Sequence, residues 1–416
     1  MRMSQAPAIA TYAQRISFIC ELAARLHSYG TTAQRLEATL VGLSGRLGVD
    51  CEPWSNPTGL ILSFSDPSKP LGASDTTRVI RLAPGENDLY KLSEADGIAE
   101  AVVAGRMSIA EGHTALRALD RKVSLRWEAM QVVAFGLASA SVAALWRLPW
   151  LDIATAGLIG LTIGVLTHWI DRRPKFKEAS DAVAALVAGM VAILVATFVA
   201  PLNLNTVIIA SLIVLLPGMT LTNAVNELTS QHLVSGTARF AGAVTTIFKL
   251  TVGSMIAVIL ADLMGLEPAV RMRRLQPDWV EWGALLLAAY AFAVLFKAHR
   301  RDYPWVMLAA VTGYLISRYA GLAWGSSVGI FLSALIVTAG GNAFARIFNR
   351  PGAIIRVPGI IMLVPGSASL RGLMDFVQRQ DVDAGQAAML AVVTIVMALV
   401  AGLLFGNILV SARKNL

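Results

Sequence analysis

Beyond residue 126 the chain is a succession of apolar stretches, each about as long as a membrane-spanning helix. A helix needs about 20 mostly apolar residues to cross the hydrocarbon core of a bilayer, and ten stretches of this sequence meet or approach that length. They are 128–146, 151–170, 181–200, 204–222, 238–261, 279–297, 304–320, 325–345, 353–370 and 385–410. The ninth is interrupted by Arg356, Pro358 and Pro365. The pattern excludes a water-soluble globule and predicts an α-helical polytopic membrane protein with ten transmembrane helices.

The first 126 residues differ from the rest of the chain in charge. They hold 27 of its 62 charged residues, which predicts a soluble N-terminal domain, called the head here, in front of a membrane body. Apolar residues at helical spacing indicate helices over 9–28, 31–47, 89–104 and 108–119, and the segments 59–64 and 77–82 have the composition of short strands. We therefore predict a small α+β head in which helices flank a hairpin.

Two features of the head predict a cytosolic location. Cys20 and Cys51 are the two cysteines of the chain; they cannot form a disulfide framework and suit a reducing compartment. The residues 1–10 lack the apolar core of a signal peptide, so we expect that the head is not exported.

Basic residues in the loops indicate the orientation of the spans, because lysine and arginine are enriched in cytoplasmic loops. With the N-terminus inside, 17 lysines and arginines near the spans are cytoplasmic and 7 are external. Both termini are therefore predicted to be cytoplasmic. The net charge of +8 belongs to membrane loops and gives no argument for a nucleic-acid partner.

One motif occurs twice in the body. The segment 215–218 (LLPG) recurs as 363–366 (LVPG), and the same offset carries Glu227 onto Asp375. An odd number of spans per half forces the two halves into opposite orientations. We therefore predict two inverted five-helix repeats, an arrangement typical of alternating-access transporters. The predicted repeats are 127–264 and 265–416.

Helix breaks and polar residues inside apolar spans indicate where a solute would pass. A Pro-Gly pair in a span loses a backbone hydrogen bond and is tolerated where protein or a water-filled cavity satisfies the freed carbonyls. A lysine at the centre of a span costs about 2.5–3.5 kcal/mol on insertion scales. The predicted substrate-pathway residues are Pro217, Gly218, Asn223, Asn226, Lys249, Asn342, Pro365 and Gly366. Glu227 and Asp375 are predicted to couple transport to protons, since desolvation shifts the pKa of an acid toward neutral pH.

Each of these features also has a structural interpretation. The breaks could be kinks that only help packing, and Lys249 could be held in a structural ion pair. The two acids could cap short helices after the breaks, and the asparagines could hold helices together. On the sequence alone these alternatives stay open.

Six segments resemble those of a known family. They are 29–37 (YGTTAQRLE), 77–81 (TRVIR), 216–227 (LPGMTLTNAVNE), 235–239 (SGTAR), 364–366 (VPG) and 370–372 (LRG). In this order they resemble the threonine/serine exporter family over almost the whole chain. The resemblance implies export of small amino acids across a bacterial inner membrane, driven by the proton gradient. Some relatives in that family carry the two halves on separate chains and are associated with export of the dicarboxylate succinate.

The favoured function is therefore a proton-driven secondary exporter of threonine, serine or similar amino acids. The alternatives are a dicarboxylate exporter and a membrane-bound sensor or enzyme with the head as its functional domain. The sequence contains no P-loop, G-x-S-x-G or H-E-x-x-H motif, so we expect no enzyme activity, no cofactor and no bound metal. The expected partners are a small polar or anionic solute, protons and the lipid bilayer; a homo-oligomer stays open.

The predicted orientation can be tested with single cysteines introduced into a chain that lacks Cys20 and Cys51. Cysteines near Arg173 and Arg300 should react only with reagents that reach the cytoplasm, and cysteines near Leu202 and Arg273 should react from outside. Labelling of the Arg273 and Arg300 positions from the same side would contradict the ten-helix topology.

Overall fold

The head is built on two N-terminal helices and a three-stranded sheet. The computed structural model describes residues 10–70, 74–120, 124–271, 275–364, 366–378 and 382–411. Within the head the elements are α1 (Tyr12–Ser28), α2 (Ala33–Arg46), β1 (Asp50–Asn56), β2 (Gly59–Ser65), β3 (Thr76–Arg81), α3 (Leu89–Val103) and α4 (Ile109–Ala118). The helix starts follow local rules: Thr11 and Gln14 form a capping box on α1, and Ser108 and Glu111 form another on α4. The predicted α+β character of the head is confirmed.

The sheet has one strand more than the sequence indicates. The strands lie in the order β1-β2-β3 and both pairs are antiparallel, so the predicted hairpin of 59–64 and 77–82 extends on its other side to β1. The strand β1 escaped prediction because Pro53 and its polar neighbours hide the alternation of buried residues. Proline is tolerated there because β1 is an edge strand.

The body repeats one order of helices twice. The first set is α5 (Leu125–Leu145), α6 (Trp150–Asp171), α7 (Ser180–Phe198), α8 (Leu204–Ser211), α9 (Gly218–Thr229) and α10 (Leu233–Leu263). The second set is α11 (Asp278–Leu295), α12 (Tyr303–Trp324), α13 (Ser326–Phe348), α14 (Ala353–Ile361), α15 (Gly366–Gln378) and α16 (Val382–Leu409). In each set, three long helices precede a pair of short ones, and a long helix follows.

Nine helical segments of the described residues are long and apolar enough to cross a membrane, which makes the body that of a multi-pass membrane protein. The stretch 204–222, expected as the fourth span, is not among them. It is divided between α8, which has 8 residues, and α9, which has 12. Pro217 precedes α9 and lacks the N–H that a continuous helix would need there.

Small residues bring α7 and α10 together over most of the length of α7. Ala185, Ala188 and Ala192 of α7 are completely buried. A methyl group added at Gly253 would lie 2.1 Å from the carbonyl oxygen of Ala182, so the two backbones touch at this crossing. Close backbone approach at small residues is the usual basis of helix association in membranes.

The head rests on the same side of the body as the start of α5. The backbone N–H groups of Leu89 and Tyr90 donate to the carbonyls of Phe296 and Lys297 at the end of α11, at 2.9 and 3.1 Å. Leu89 also packs among buried side chains of the body, including Ile354. The head is thus joined to the body by both backbone hydrogen bonds and apolar contacts.

The α7–α10 crossing generates a stability prediction. Gly253→Ala places a methyl group against the backbone of α7 and should destabilise the protein by about 1–3 kcal/mol, as overpacking does. Gly242→Ala, on the same helix, has open space around the new methyl group and should leave the protein unchanged or more stable. Thermal unfolding in detergent measures both variants, and equal unfolding temperatures would contradict the close crossing.

Candidate substrate pathway

The segments that follow the two Pro-Gly breaks contact each other. Gly218 is the first residue of α9 and Gly366 is the first residue of α15. A methyl group added at Gly218 would lie 2.1 Å from Val364 Cγ1. One added at Gly366 would lie 3.0 Å from Leu216 Cβ and 3.5 Å from Gly218 Cα. The repeat offset of the sequence thus corresponds to a direct contact in space, and the side chains of Val364 and Leu216 leave no room for a side chain at either glycine.

Two helix N-termini meet at this contact. Because α9 and α15 both begin there, their positive dipole ends and their first N–H groups, which have no partner within the helix, lie close together. Such a place favours an anionic group. Pro217 is buried beside the contact, and Pro365 lies outside the described residues.

A neighbouring helix satisfies part of the backbone that the first break frees. Ser139 of α5 is completely buried, and its Oγ donates to the carbonyl oxygen of Ser211 at 3.0 Å. Ser211 is the last residue of α8, so its carbonyl has no partner further along the same helix. This is the way in which a membrane protein tolerates non-helical backbone.

Glu227 joins the body to the head. Its side chain is 0% exposed. It accepts hydrogen bonds from Ser235 Oγ at 2.7 Å, from Arg239 Nε at 2.9 and 3.0 Å, and from the backbone N–H of Ala33 at 2.9 Å. Ala33 is the first residue of α2, and the N-cap residue Thr32 makes no side-chain cap of its own. The carboxylate of Glu227 therefore caps a helix of the head and also neutralises an arginine of α10.

A second polar contact runs beside Glu227. His232 Nε2 lies 3.0 Å from Glu37 Oε2, and the other oxygen of Glu37 accepts the backbone N–H of Ser55 at 2.7 Å. Burial lowers the pKa of the His27 imidazole, which hydrogen-bonds the carbonyl of Asn56. His27 is therefore neutral at pH 7 and adds no positive charge next to the Glu227–Arg239 pair.

Lys249 lies at the level of the first turn of α7. Its Nζ is 3.9 Å from Asp181 Oδ2, and about a third of its side chain is exposed. The sequence suggested a position near the middle of the membrane, because Lys249 is central in an apolar stretch. The helix α10 has 31 residues, more than a bilayer needs, so its midpoint need not coincide with the midpoint of the membrane.

The three predicted asparagines lie in two places. Asn223 and Asn226 are partly buried on α9, between the break and Glu227. Asn342 of α13 is 2% exposed and donates to Asn407 Oδ1 at 2.8 Å and to the carbonyl of Val410 at 2.7 Å. It therefore links α13 to the end of α16.

Asp375 lines a cavity of about 200 Å³ between α8 and α15. The other lining residues are Asn205, Thr206, Ile209, Arg371 and Met374. The sequence analysis counted Arg371 among the external charges and within the segment 370–372, but selected neither it nor Asn205 nor Thr206 as a site residue. The signal that could have selected Arg371 is its position four residues before Asp375, because residues at this spacing share one face of a helix.

Two buried acids were also missed, and they have matching structural roles. Asp152, in the first turn of α6, is 0% exposed and accepts the side-chain and backbone N–H groups of Asn203, which precedes α8. Asp302, which precedes α12, is 2% exposed and accepts two hydrogen bonds from Arg350, close to the start of α14. In each set of helices, an acid near the start of the second long helix thus accepts hydrogen bonds from a residue that precedes the first short helix.

A larger cavity of about 500 Å³ lies between the head and the body. Its walls come from α3 of the head, from Arg301, and from the connection between α13 and α14. The residues that line it are Ser93, Glu94, Asp96, Gly97, Ile98, Met107, Arg301, Asn349, Arg350 and Pro351. The head thus encloses polar space against the body.

The contacts of Glu227 predict its role as an anchor. Glu227→Gln leaves Arg239 without its countercharge and weakens the cap on α2, which should lower stability by about 3–5 kcal/mol, the usual cost of breaking a buried ion pair. Glu178→Gln, at an exposed position, is the matched control. Thermal unfolding of both variants at pH 7 is the measurement, and equal stability would show that Glu227 does not hold the head.

Fungal membrane proteins are similar to this chain. Pheromone-regulated membrane protein 10 of Zygosaccharomyces rouxii is 25% identical over 380 residues, which cover 89% of this chain and 38% of that protein. The protein of the same name from Saccharomyces cerevisiae is 24% identical over 378 residues, covering 89% of this chain and 49% of that protein. The chain therefore spans about half the length of these relatives or less. No solved structure matches it.

Two family models match nearly the whole chain. A model of threonine/serine exporters matches residues 17–261, including the head and the first set of membrane helices. A second one, described as "Threonine/Serine exporter, ThrE", matches residues 283–409. The resemblance found in the sequence is confirmed: the chain is a multi-pass membrane protein of the threonine/serine exporter family, with both parts of that family fused in one polypeptide.

Proposed function

We propose that this protein is a secondary active exporter of threonine, serine or similar small amino acids. Transport proceeds by alternating access and is driven by the proton gradient across a bacterial inner membrane. The head (1–126) and the C-terminus are cytoplasmic, in accordance with the distribution of basic residues. The observation that carries the proposal is the contact between Gly218 and the segment around Gly366, because paired helix breaks are where such transporters bind their substrates.

The repeated order of helices supports an inverted repeat. When α8 and α9 together count as one broken span, the body has ten crossings, in the halves 127–264 and 265–416. In this arrangement α9 runs from the contact toward the head, whereas α15 runs from the contact away from the head. The two broken spans then cross in opposite directions, which gives each side of the membrane one short helix leading to the contact.

The unequal surroundings of Glu227 and Asp375 support a role in proton coupling. Glu227 is completely buried with four hydrogen bonds, whereas Asp375 is partly buried and lines a cavity. An alternating-access cycle needs two states in which equivalent groups exchange environments. We assign Asn223 and Asn226 to the substrate pathway on the head side of the breaks. Lys249 and Asn342 have protein partners, which favours a supporting role for them.

A dicarboxylate exporter is the second candidate. It is favoured by the two helix N-termini at the breaks and by Arg371 in the cavity, since both attract carboxylates. A sensor or enzyme with the head as its functional domain has no comparable support in the geometry.

Inside-out membrane vesicles test the proposal, because their exposed face is the cytoplasmic one. With an acid lumen they should accumulate labelled L-serine or L-threonine, and a protonophore should abolish the accumulation. Uptake of labelled succinate instead would favour the second candidate. Absence of uptake for both amino acids by correctly folded protein would contradict the proposal.

The break contact predicts the effect of one methyl group on transport. Gly218→Ala forces Val364 away from α9 and should lower serine uptake at least tenfold per folded molecule. Gly242→Ala is the control, because no residue that the structure describes lies within 4 Å of its new methyl group. Uptake by Gly218→Ala at the level of this control would show that the contact is a packing feature.

A further inference from the structure

The cavity that contains Asp375 lies at the end of the body opposite the head. Asn205 and Thr206 are in the first turn of α8, which follows the far end of α7. Arg371 has its guanidinium carbon 5.6 Å from the centre of the Trp146 ring. Trp146 follows α5, a helix of 21 residues whose other end adjoins the head, so it is about 30 Å from that end. In the proposed orientation this cavity is at the outer surface.

The cavity has an apolar base and polar walls. Met374 is 1% exposed and Leu370 is 0% exposed, and both pack in one cluster with Val207 and Ile208 of α8. These contacts hold α15 against α8 below the cavity.

Arg371 and Asp375 place opposite charges on one wall. They are four residues apart on α15, so their side chains project from the same face of the helix. The guanidinium carbon of Arg371 lies 5.6 Å from the centre of the Trp146 ring, within the range of a cation–π interaction. A guanidinium group can bind a carboxylate with two parallel hydrogen bonds.

The cavity has room for a small polar solute. Its volume of about 200 Å³ corresponds to roughly seven water molecules, at about 30 Å³ each. This space accommodates an amino acid of the size of serine or threonine. Asn205 and Thr206 on the opposite wall provide an amide and a hydroxyl group for a polar side chain.

We propose that this cavity is an external binding site for a zwitterionic amino acid. Arg371 binds the carboxylate, Asp375 binds the ammonium group, and Asn205 or Thr206 contacts the side-chain hydroxyl. The inference rests on the proposed export function and narrows its substrate class. A dicarboxylate would bring its second negative charge against Asp375, so the site discriminates against the second candidate substrate. The assignment is compatible with proton coupling, because a carboxylate can hold an ammonium group and a proton in turn.

Exchange across right-side-out vesicles tests this site. Vesicles containing the protein are loaded with labelled L-serine, and its efflux is measured with different solutes outside. External L-serine should accelerate efflux by exchange. L-serine methyl ester lacks the carboxylate, N-acetyl-L-serine lacks the ammonium group, and succinate has two carboxylates, so none of the three should accelerate it.

Charge-neutralising variants identify the residues. Arg371→Gln and Asp375→Asn should each raise the external L-serine concentration for half-maximal acceleration at least tenfold. Arg271→Gln and Asp262→Asn are the controls, because they remove the same charges at the same end of the body but outside the cavity. They should change the external L-serine concentration for half-maximal acceleration less than twofold. If either cavity variant does not fold, Arg371→Lys and Thr206→Val take its place. Each should raise the external L-serine concentration for half-maximal acceleration at least threefold.

The outcomes separate the site from the function. If Arg371→Gln and Asp375→Asn both keep the external L-serine concentration for half-maximal acceleration within twofold of the unmodified protein, the proposed site is overturned. Export of serine then still stands. Acceleration by succinate equal to that by L-serine would also overturn it. Absence of serine efflux from the unmodified, folded protein would overturn the export function, and the proposed site with it.

Discussion

The structure of the body depends on one constraint, which is that backbone polar groups inside a bilayer must find partners within the protein. A helix can break at membrane depth only where other protein segments cover the break. Here the two breaks cover each other, since Gly218 lies against the segment that contains Gly366. The side chain of Ser139 donates a hydrogen bond to the carbonyl at the end of α8. The close approach requires glycine on both sides, because Val364 and Leu216 occupy the space that a side chain at Gly218 or Gly366 would need.

The entrances to the broken spans are held by ionic or polar anchors. Asp152 holds the residue before α8, and Asp302 holds Arg350 near the start of α14. These acids are buried at opposite ends of the body, so each half has its anchor on a different face. A short helix anchored at one end and broken at the other can tilt as a unit.

The two faces of the body differ in what covers them. On the head side, Glu227 is enclosed by α10 and by the N-terminus of α2. On the opposite side, its sequence counterpart Asp375 lines a cavity. The docked head contributes to this difference.

Several features of the site were beyond the reach of sequence patterns. The partner of Glu227 in the head is 194 residues away, and no local pattern relates the two positions. The contact of Lys249 with Asp181 joins two helices, so the apolar length of its span could not reveal it. The strand β1 was missed because Pro53 conceals its alternation, and the fourth span was counted as one helix although it is divided into α8 and α9.

The sequence by itself determined the membrane class, the α+β head and the positions of both helix breaks. These follow from apolar length, helical spacing and Pro-Gly pairs, which are local properties of the chain. The family was indicated by the resemblance of six segments to threonine/serine exporters, which the family models confirm. The tertiary structure alone decided that the breaks touch, that Glu227 caps a helix of the head, and that Arg371 and Asp375 share a cavity with α8. The physical reason is that each of these contacts joins segments far apart in the chain, and their free energy arises only when the helices have packed.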